Sequence, residues 1–269
     1  MIEMNMASEK INWPRPSSTW SPSWNNDRSS FPNVHVFGVS LNPPVNVLET
    51  LARILASPEL DRAASFRFEH DRNRFIAGRG LLRVILGHYL NANPAKLEFV
   101  YGGQGKPMLG GAFATTGLHF NFAHSEGLGL LAISPVGAVG VDVECIRPLN
   151  DVDRLVNRFF SPREIAAFQK VPVYERSLAF FRLWTRKEAF LKATGEGIAH
   201  SLDQVEVSFL SDESAELLHL PRHLGQVANW HSHDLAPASG FVAALVAPIE
   251  TACPICWSWV TECGLPAAS

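Results

Sequence analysis

Two stretches in opposite halves of the chain follow one pattern. "FNFAHSEGLGLLAISP" (Phe120–Pro135) and "NWHSHDLAPASGFVAALVAP" (Asn229–Pro248) each begin with an aromatic residue and an Asn, pass a His–Ser pair and a loop, and end in an apolar strand closed by proline. A chain that repeats such a unit is expected to fold as two related halves. The residues before each copy agree. In the first half, "VHVFGVSL" reads as a strand and "NVLETLARIL" as a helix. "DRAASFRFEHDRNRFIAGRGLLRVILGHYL" is helical through most of its length, and "KLEFVYGGQGKPML" is a strand, a Gly-rich loop and a strand. In the second half, "DVDRLVNRFFSPREIAAFQKV" and "ERSLAFFRLWTRKEAFLKATG" read as helices and "LDQVEVSFL" as a strand. The expected fold class is therefore α+β, a pseudodimer of two similar α+β halves over 34–140 and 141–250. Residues 1–33, with Trp13, Trp20 and Trp24 among Pro, Ser and Asn, read as an extended or poorly ordered arm, and 251–269 as a short tail.

Composition narrows the function. The 269 residues are 46% hydrophobic and 18% charged, ordinary for a soluble globular chain, and the net charge of −3 argues against a general nucleic-acid binder. "MIEMNMASEK" lacks the apolar core of a secretory signal. The most apolar run is broken by Ser134, Pro135 and Asp142, too early for a membrane span. Four cysteines (145, 253, 256, 263) imply no disulfide framework, so a reducing cytoplasm is expected. "CPIC" with "HSH" at 231–233 could be read as a zinc site, yet there is no second C-x-x-C, and "HSH" is more economically the repeat of "AHS".

The chemistry concentrates in two segments. "VGVDVECIRP" (Val139–Pro148) is a strand with Val139, Val141 and Val143 on one side and Asp142 and Glu144 on the other. Two carboxylates at close range repel by about 4 kcal/mol at an effective dielectric of 20. "LWTRKEAFLKATGEG" (Leu183–Gly197) is a helix that sets Glu188 and Lys192 on one face, with Lys187 beside them. Asp142, Glu144 and Glu188 together would supply three hard oxygen ligands, a set suited to Mg²⁺ shared with substrate phosphates.

These segments resemble a family. Gly140-Val141-Asp142-Val143-Glu144 followed by Trp184-Thr185-Arg186-Lys187-Glu188-Ala189 and Lys192, with 46 positions from Asp142 to Glu188, is similar to the paired signature of the 4'-phosphopantetheinyl transferase superfamily. The length and duplication resemble its longer, surfactin-synthetase-activating type, over about 34 to 250. "QGKP" resembles the loop in which Lys106 and Pro107 meet coenzyme A. "NFAHS" resembles the segment whose His, here His124, faces the 3'-phosphate. Ala123 departs from the family's usual Ser, so a hydroxyl contact to that phosphate is expected to be missing. Arg74 and Arg62 match the basic residues of the early helix.

The resemblance implies a Mg²⁺-dependent transfer of the 4'-phosphopantetheine arm of coenzyme A to a serine of an acyl or peptidyl carrier protein, releasing 3',5'-ADP. Coenzyme A would lie between the halves. Asp142, Glu144 and Glu188 would hold the metal, Lys187 and Lys192 would lie beside the pyrophosphate, Glu188 or a metal-bound water oriented by it would take the serine proton, and Lys192 would stabilise or protonate the leaving group. A monomer with no nucleic-acid or membrane partner is implied. Segment 154–192 carries nine Lys/Arg against three Glu, a face that could steer an acidic carrier, with Arg158, Arg163 and Arg186 expected outward. The rival is a non-catalytic coenzyme A-binding module of the same fold. The intact set Asp142, Glu144, Glu188 and Lys192 speaks against it.

Overall fold

The structure, a computed structural model, describes residues 11–12, 33–196, 202–248 and 252–259. Most of the N-terminal arm, including its three tryptophans, lies outside them. The described residues form two compact units: an N-terminal one of 33–137 with 253–259, and a C-terminal one of 11–12, 138–196 and 202–248 with Ala252.

A two-residue strand, β1 (Ile11–Asn12), precedes the N-terminal unit in sequence but belongs to the other. The N-terminal unit runs β2 (Asn33–Ser40), α1 (Val45–Arg53), α2 (Ser57–Ala64), α3 (Glu69–Leu90), a small hairpin of β3 (Phe99–Tyr101) and β4 (Pro107–Leu109), and then β5 (His119–Ser125) and β6 (Leu128–Ser134). The C-terminal unit runs β7 (Gly140–Cys145), α4 (Val152–Phe159), α5 (Pro162–Phe168), α6 (Arg176–Thr194), a small pair of β8 (Glu206–Val207) and β9 (Leu217–His219), and then β10 (Trp230–Ala236) and β11 (Phe241–Pro248). The orders match element for element: strand, two short helices, one long helix, small two-stranded ribbon, antiparallel pair. Fold class and duplication are as the repeat implied.

The main sheets are β12-β2-β6-β5 and β1-β10-β11-β7, where β12 is Ala252–Trp259. Three strands are common to both, and the fourth is added on opposite edges. In the C-terminal unit β1 pairs parallel with β10, so part of the N-terminal arm is a sheet strand. The segment read only as a short tail contributes β12 beside β2.

Three breaks depart from the sequence reading, each with a local cause. The long helical stretch of the first half splits at 65–68: Ser65 Oγ donates to the carbonyl of Arg62 at 2.7 Å, and Phe68 is extended. The helix expected over 151–171 splits at Ser161. Pro162 disfavours helical geometry in the residue before it, and Ser161 and Glu164 form a reciprocal capping box that starts α5. The strand expected over "LDQVEVSFL" stops after Val207, because the Ser208 carbonyl accepts from Arg186 Nη1 at 2.5 Å and its hydroxyl accepts from the Glu216 amide at 2.8 Å.

Each long helix covers one face of its sheet. In the N-terminal unit that face is largely apolar: Phe37, Val39 and Leu41 of β2 and the loop after it pack with Ala77, Leu81 and Ile85 of α3. In the C-terminal unit α6 packs Leu183 and Phe190 on Ala244 and Val246 of β11, while the neighbouring strand β7 turns Gly140, Asp142 and Glu144 to the same side.

Candidate active site

Gly140 brings β7 against α6. A Cβ there would fall on the carbonyl oxygen of Ala189 and the amide nitrogen of Ala193, backbone atoms that have no rotamer to escape into. Two residues on, Asp142 is buried beside the helix, and Lys192 Nζ donates to its Oδ1 at 2.6 Å. Glu188, one turn earlier on α6, is 2% exposed. Asp142 Oδ2 and Glu188 Oε1 are both buried with no hydrogen-bond partner. Their electrostatics follow. Burial raises the Asp142 carboxyl to about 6, although the Lys192 ammonium pulls it down and Glu144 pushes it up. Burial raises Glu188 to about 7, with Lys192 lowering it and Asp142 and Glu144 raising it. Two acids and one ammonium thus share a small volume of low polarity, and one acid sits near neutrality.

The three-carboxylate set expected from the sequence is only partly assembled. Among the described residues no three His, Cys, Asp or Glu side chains converge as a metal-binding group. The counter-charge in reach of Asp142 is the Lys192 ammonium, and Glu144, at the rim, turns to Arg147, whose Nη1 lies 3.5 Å from Glu144 Oε2. The donors nevertheless suit a hard cation: carboxylate oxygens, two of them buried and unsatisfied.

Two basic residues of α6 turn inward. Lys187 is fully buried, donating to Glu164 and to the Leu202 carbonyl at 2.5 Å. Arg186 does not face outward. It is 1% exposed, with Nε and Nη2 on the two oxygens of Asp234 at 2.9 and 2.7 Å. On a helix packed against a sheet on one side and against α5 and the 202–208 segment on another, long cationic side chains reach inward to buried acids rather than to solvent. Of the other basic residues there, Arg163 pairs with Glu206 at 3.2 Å and Arg158 is exposed, lying over the Phe159 ring.

The N-terminal unit holds the other candidates. Arg74 on α3 donates from Nε to Asn42 Oδ1 at 3.3 Å and lies 3.5 Å from Glu126, two residues beyond His124. His124 is exposed at the end of β5, so these two sit at one end of the unit. Ala123 is buried and by strand alternation faces away from His124. Lys106 closes the β3–β4 loop, and burial lowers its ammonium to about 8; it acts electrostatically on His119. Pro107 opens β4. Arg62 on α2 is exposed over the Phe66 ring at 5.4 Å and makes no described contact with Arg74.

Sequence reasoning missed Glu164, Asp234 and Arg147. The Ser-x-x-Glu pattern at 161–164 was a signal for Glu164 as a cap. Nothing local marked Asp234 as a partner of Arg186.

The chain was compared with known proteins. Residues 138–246 match the 4'-phosphopantetheinyl transferase superfamily, and 40–136 match the 4'-phosphopantetheinyl transferase N-terminal family. The 4'-phosphopantetheinyl transferase HetI of Nostoc sp. is 41% identical over 84% of this chain and 92% of its own. The chain belongs to the 4'-phosphopantetheinyl transferase superfamily. The transferase is also 31% identical to the 4'-phosphopantetheinyl transferase psf-1 of Bacillus pumilus, over 70% of this chain and 80% of that one. It is 40% identical to the 4'-phosphopantetheinyl transferase AcpT of Escherichia coli, over 53% and 68%. The boundary between the two family matches falls just before β7 of the transferase. No helix among its described residues is long and apolar enough to cross a membrane.

Proposed function

We propose that this transferase moves the 4'-phosphopantetheine arm of coenzyme A to a serine hydroxyl of an acyl or peptidyl carrier protein and releases 3',5'-ADP. The observation that carries the reading is the pair of buried carboxylates, Asp142 and Glu188, each with an oxygen lacking a partner, beside the Lys192 ammonium. An unsatisfied buried polar group costs a fold about 1–3 kcal/mol. Keeping two such groups side by side is reasonable where a bound ligand satisfies them.

Asp142 and Glu188, with Glu144 at the rim, are the residues that would hold Mg²⁺, which when bound supplies counter-charge and polarisation to a pyrophosphate. The chain's own groups do the rest. Glu188, buried beside Asp142, would accept the serine proton. The serine oxygen then bonds to the β-phosphorus, and the bond from that phosphorus to 3',5'-ADP breaks. Lys192 is placed to oppose the charge on the departing oxygen and to return a proton to it. Arg74, His124, Lys106, Pro107 and Arg62 are the proposed contacts of the N-terminal unit to coenzyme A. The same reading makes the protein a cytoplasmic monomer.

The test is the intact mass of a purified apo-carrier after incubation with the protein, coenzyme A and Mg²⁺. A gain of one phosphopantetheine arm per carrier is expected. Coenzyme A binding without any gain in carrier mass would favour the non-catalytic module instead.

A further inference from the structure

Consecutive residues of α6, Arg186 and Lys187, reach in different directions to buried acids. Arg186 holds both oxygens of Asp234 on β10 and the carbonyl of Ser208. Lys187 holds Glu164 of α5 and the carbonyl of Leu202, with its ammonium 4.9 Å from the centre of the Phe160 ring. Glu164 is itself a junction. Its Oε2 accepts the Ser161 amide at 2.9 Å as well as Lys187, and its Oε1 accepts the Val207 amide at 3.1 Å. The start of α5, the middle of α6 and the end of β8 therefore meet on one carboxylate that is 3% exposed, and Lys187 ties the segment at 202 to it. The next residue of α6 is Glu188.

A buried ion pair is weak evidence of a stabilising role. Buried ion pairs are often matched or bettered by apolar side chains of the same volume, because desolvating both charges offsets their attraction. What a pair of this kind fixes is geometry. Two adjacent helical residues anchored on different sides leave α6 little freedom to rotate about its axis or slide along it. Rotation would carry Glu188 away from Asp142.

Resting on the function proposed above, we infer that Lys187 and Glu164 are positioning residues of the transfer reaction: their buried pair holds α6 in the rotation that sets Glu188 beside Asp142, and Lys187 does not contact the pyrophosphate. The pattern Trp-Thr-Arg-Lys-Glu then has a division of labour in which the cations anchor the helix and the acid acts.

The experiment uses the full chain with Lys187→Met and Glu164→Gln, singly, and the exchange Lys187→Glu with Glu164→Lys. Each is assayed for melting temperature, coenzyme A affinity by calorimetry, and transfer rate at saturating coenzyme A and carrier. Lys187→Met is expected to stay folded and to bind coenzyme A within roughly twofold of the parent, while its saturated rate falls about ten- to a hundredfold, the loss typical of a small misplacement of a reacting group. Glu164→Gln should show the same split to a lesser degree, and the exchange should recover part of the rate. A tenfold or greater loss of coenzyme A affinity in folded Lys187→Met would place the ammonium on the phosphates and overturn the inference. An unchanged rate per folded molecule would reduce the pair to a structural role and overturn it as well. If Lys187→Met does not fold, Glu164→Gln and the exchange decide by the same readouts. Glu188→Gln is run alongside: a full rate in that variant would defeat the parent reading of the site, whatever Lys187 does.

Discussion

The two units place different chemistry at the same address. In each, the first strand of the repeat lies under the long helix. On β2 the side chains turned to α3 are the apolar Phe37 and Val39 and a neutralised His35 that shares a 2.6 Å hydrogen bond with Tyr89 of α3, and on the corresponding strand β7 they are Gly140, Asp142 and Glu144. The N-terminal interface buries hydrocarbon for stability, with one buried ion pair, Arg83 to Glu59 at 2.7 Å, set off to the side. The C-terminal interface buries hydrocarbon too, Leu183 and Phe190 of α6 with Ala244 and Val246 of β11, but beside it keeps two carboxylates that burial pushes toward the protonated form. A duplicated scaffold supplies stability twice, so one copy can carry a strained polar interface.

The largest effect expected from breaking this contrast is at the glycines. Gly140→Ala should destabilise the protein by about 3 kcal/mol or more, because the methyl group meets helix backbone on both contacts. In the other unit a Cβ at Gly78 of α3 lies 3.2 Å from the Phe122 ring, a side chain that can shift, so Gly78→Ala should cost no more than about 1 kcal/mol. Chemical denaturation of the two variants makes the comparison; equal costs would mean that β7 and α6 are not in close backbone contact.

Next in size is the pH dependence of stability in the metal-free protein. Glu188 is raised by burial from 4.5 to about 7, so between those values the folded state holds a proton that the unfolded chain has released. Stability is therefore highest below about pH 4.5, as far as this group goes, and is lost as pH rises toward 7. Glu188→Gln should remove most of that slope and stabilise the protein at pH 7.5 by on the order of 1–2 kcal/mol. Asp142, raised from 3.8 to about 6, leaves a residual slope of the same sign. A destabilised Glu188→Gln at pH 7.5 would show that the acid serves the fold.

Selectivity for the 3'-phosphate is a test confined to the N-terminal unit. Charge-assisted contacts from Arg74 or His124 are worth roughly 1.5–3 kcal/mol each, so 3'-dephospho-coenzyme A should bind at least about tenfold more weakly by calorimetry. Equal affinities would remove both residues from the site.

The smallest effect concerns the carrier. With Arg186 and Lys187 buried, the basic surplus of segment 154–192 is less exposed than its composition implies, although Arg163, paired with Glu206, stays largely exposed. Raising salt from low values to 0.3 M should increase the carrier KM by only a few fold, roughly the loss of one or two screened contacts, and leave the coenzyme A KM nearly unchanged. A tenfold or larger rise would mean that the exposed cations Arg154, Arg158, Arg163 and Lys170 dominate docking.

What was legible in the sequence follows the same divide. The repeat, the alternating strands and the spacing of Asp142, Glu144, Glu188 and Lys192 are short-range patterns, and each reports directly on which face a side chain occupies. The inward turn of Lys187 and Arg186 was not legible because a helix with buried residues nearly all round gives no periodic cue to which cations turn inward; that depends on acids at 164 and 234, far along the chain. Strand β12 was missed because its sequence resembles a loop, with Pro254 and two cysteines. Its place at a sheet edge, where a proline is tolerated, is set by tertiary pairing alone.

The central claim is that the charged face between β7 and α6 exists for chemistry and not for folding. Its most direct test is the phosphopantetheinylation rate of Asp142→Asn at saturating coenzyme A, carrier and Mg²⁺, which changes one oxygen to an amide with hardly any change of shape. A rate lower by about a hundredfold or more is expected, in a protein at least as stable as the parent at neutral pH. Transfer at the parental rate would contradict the account.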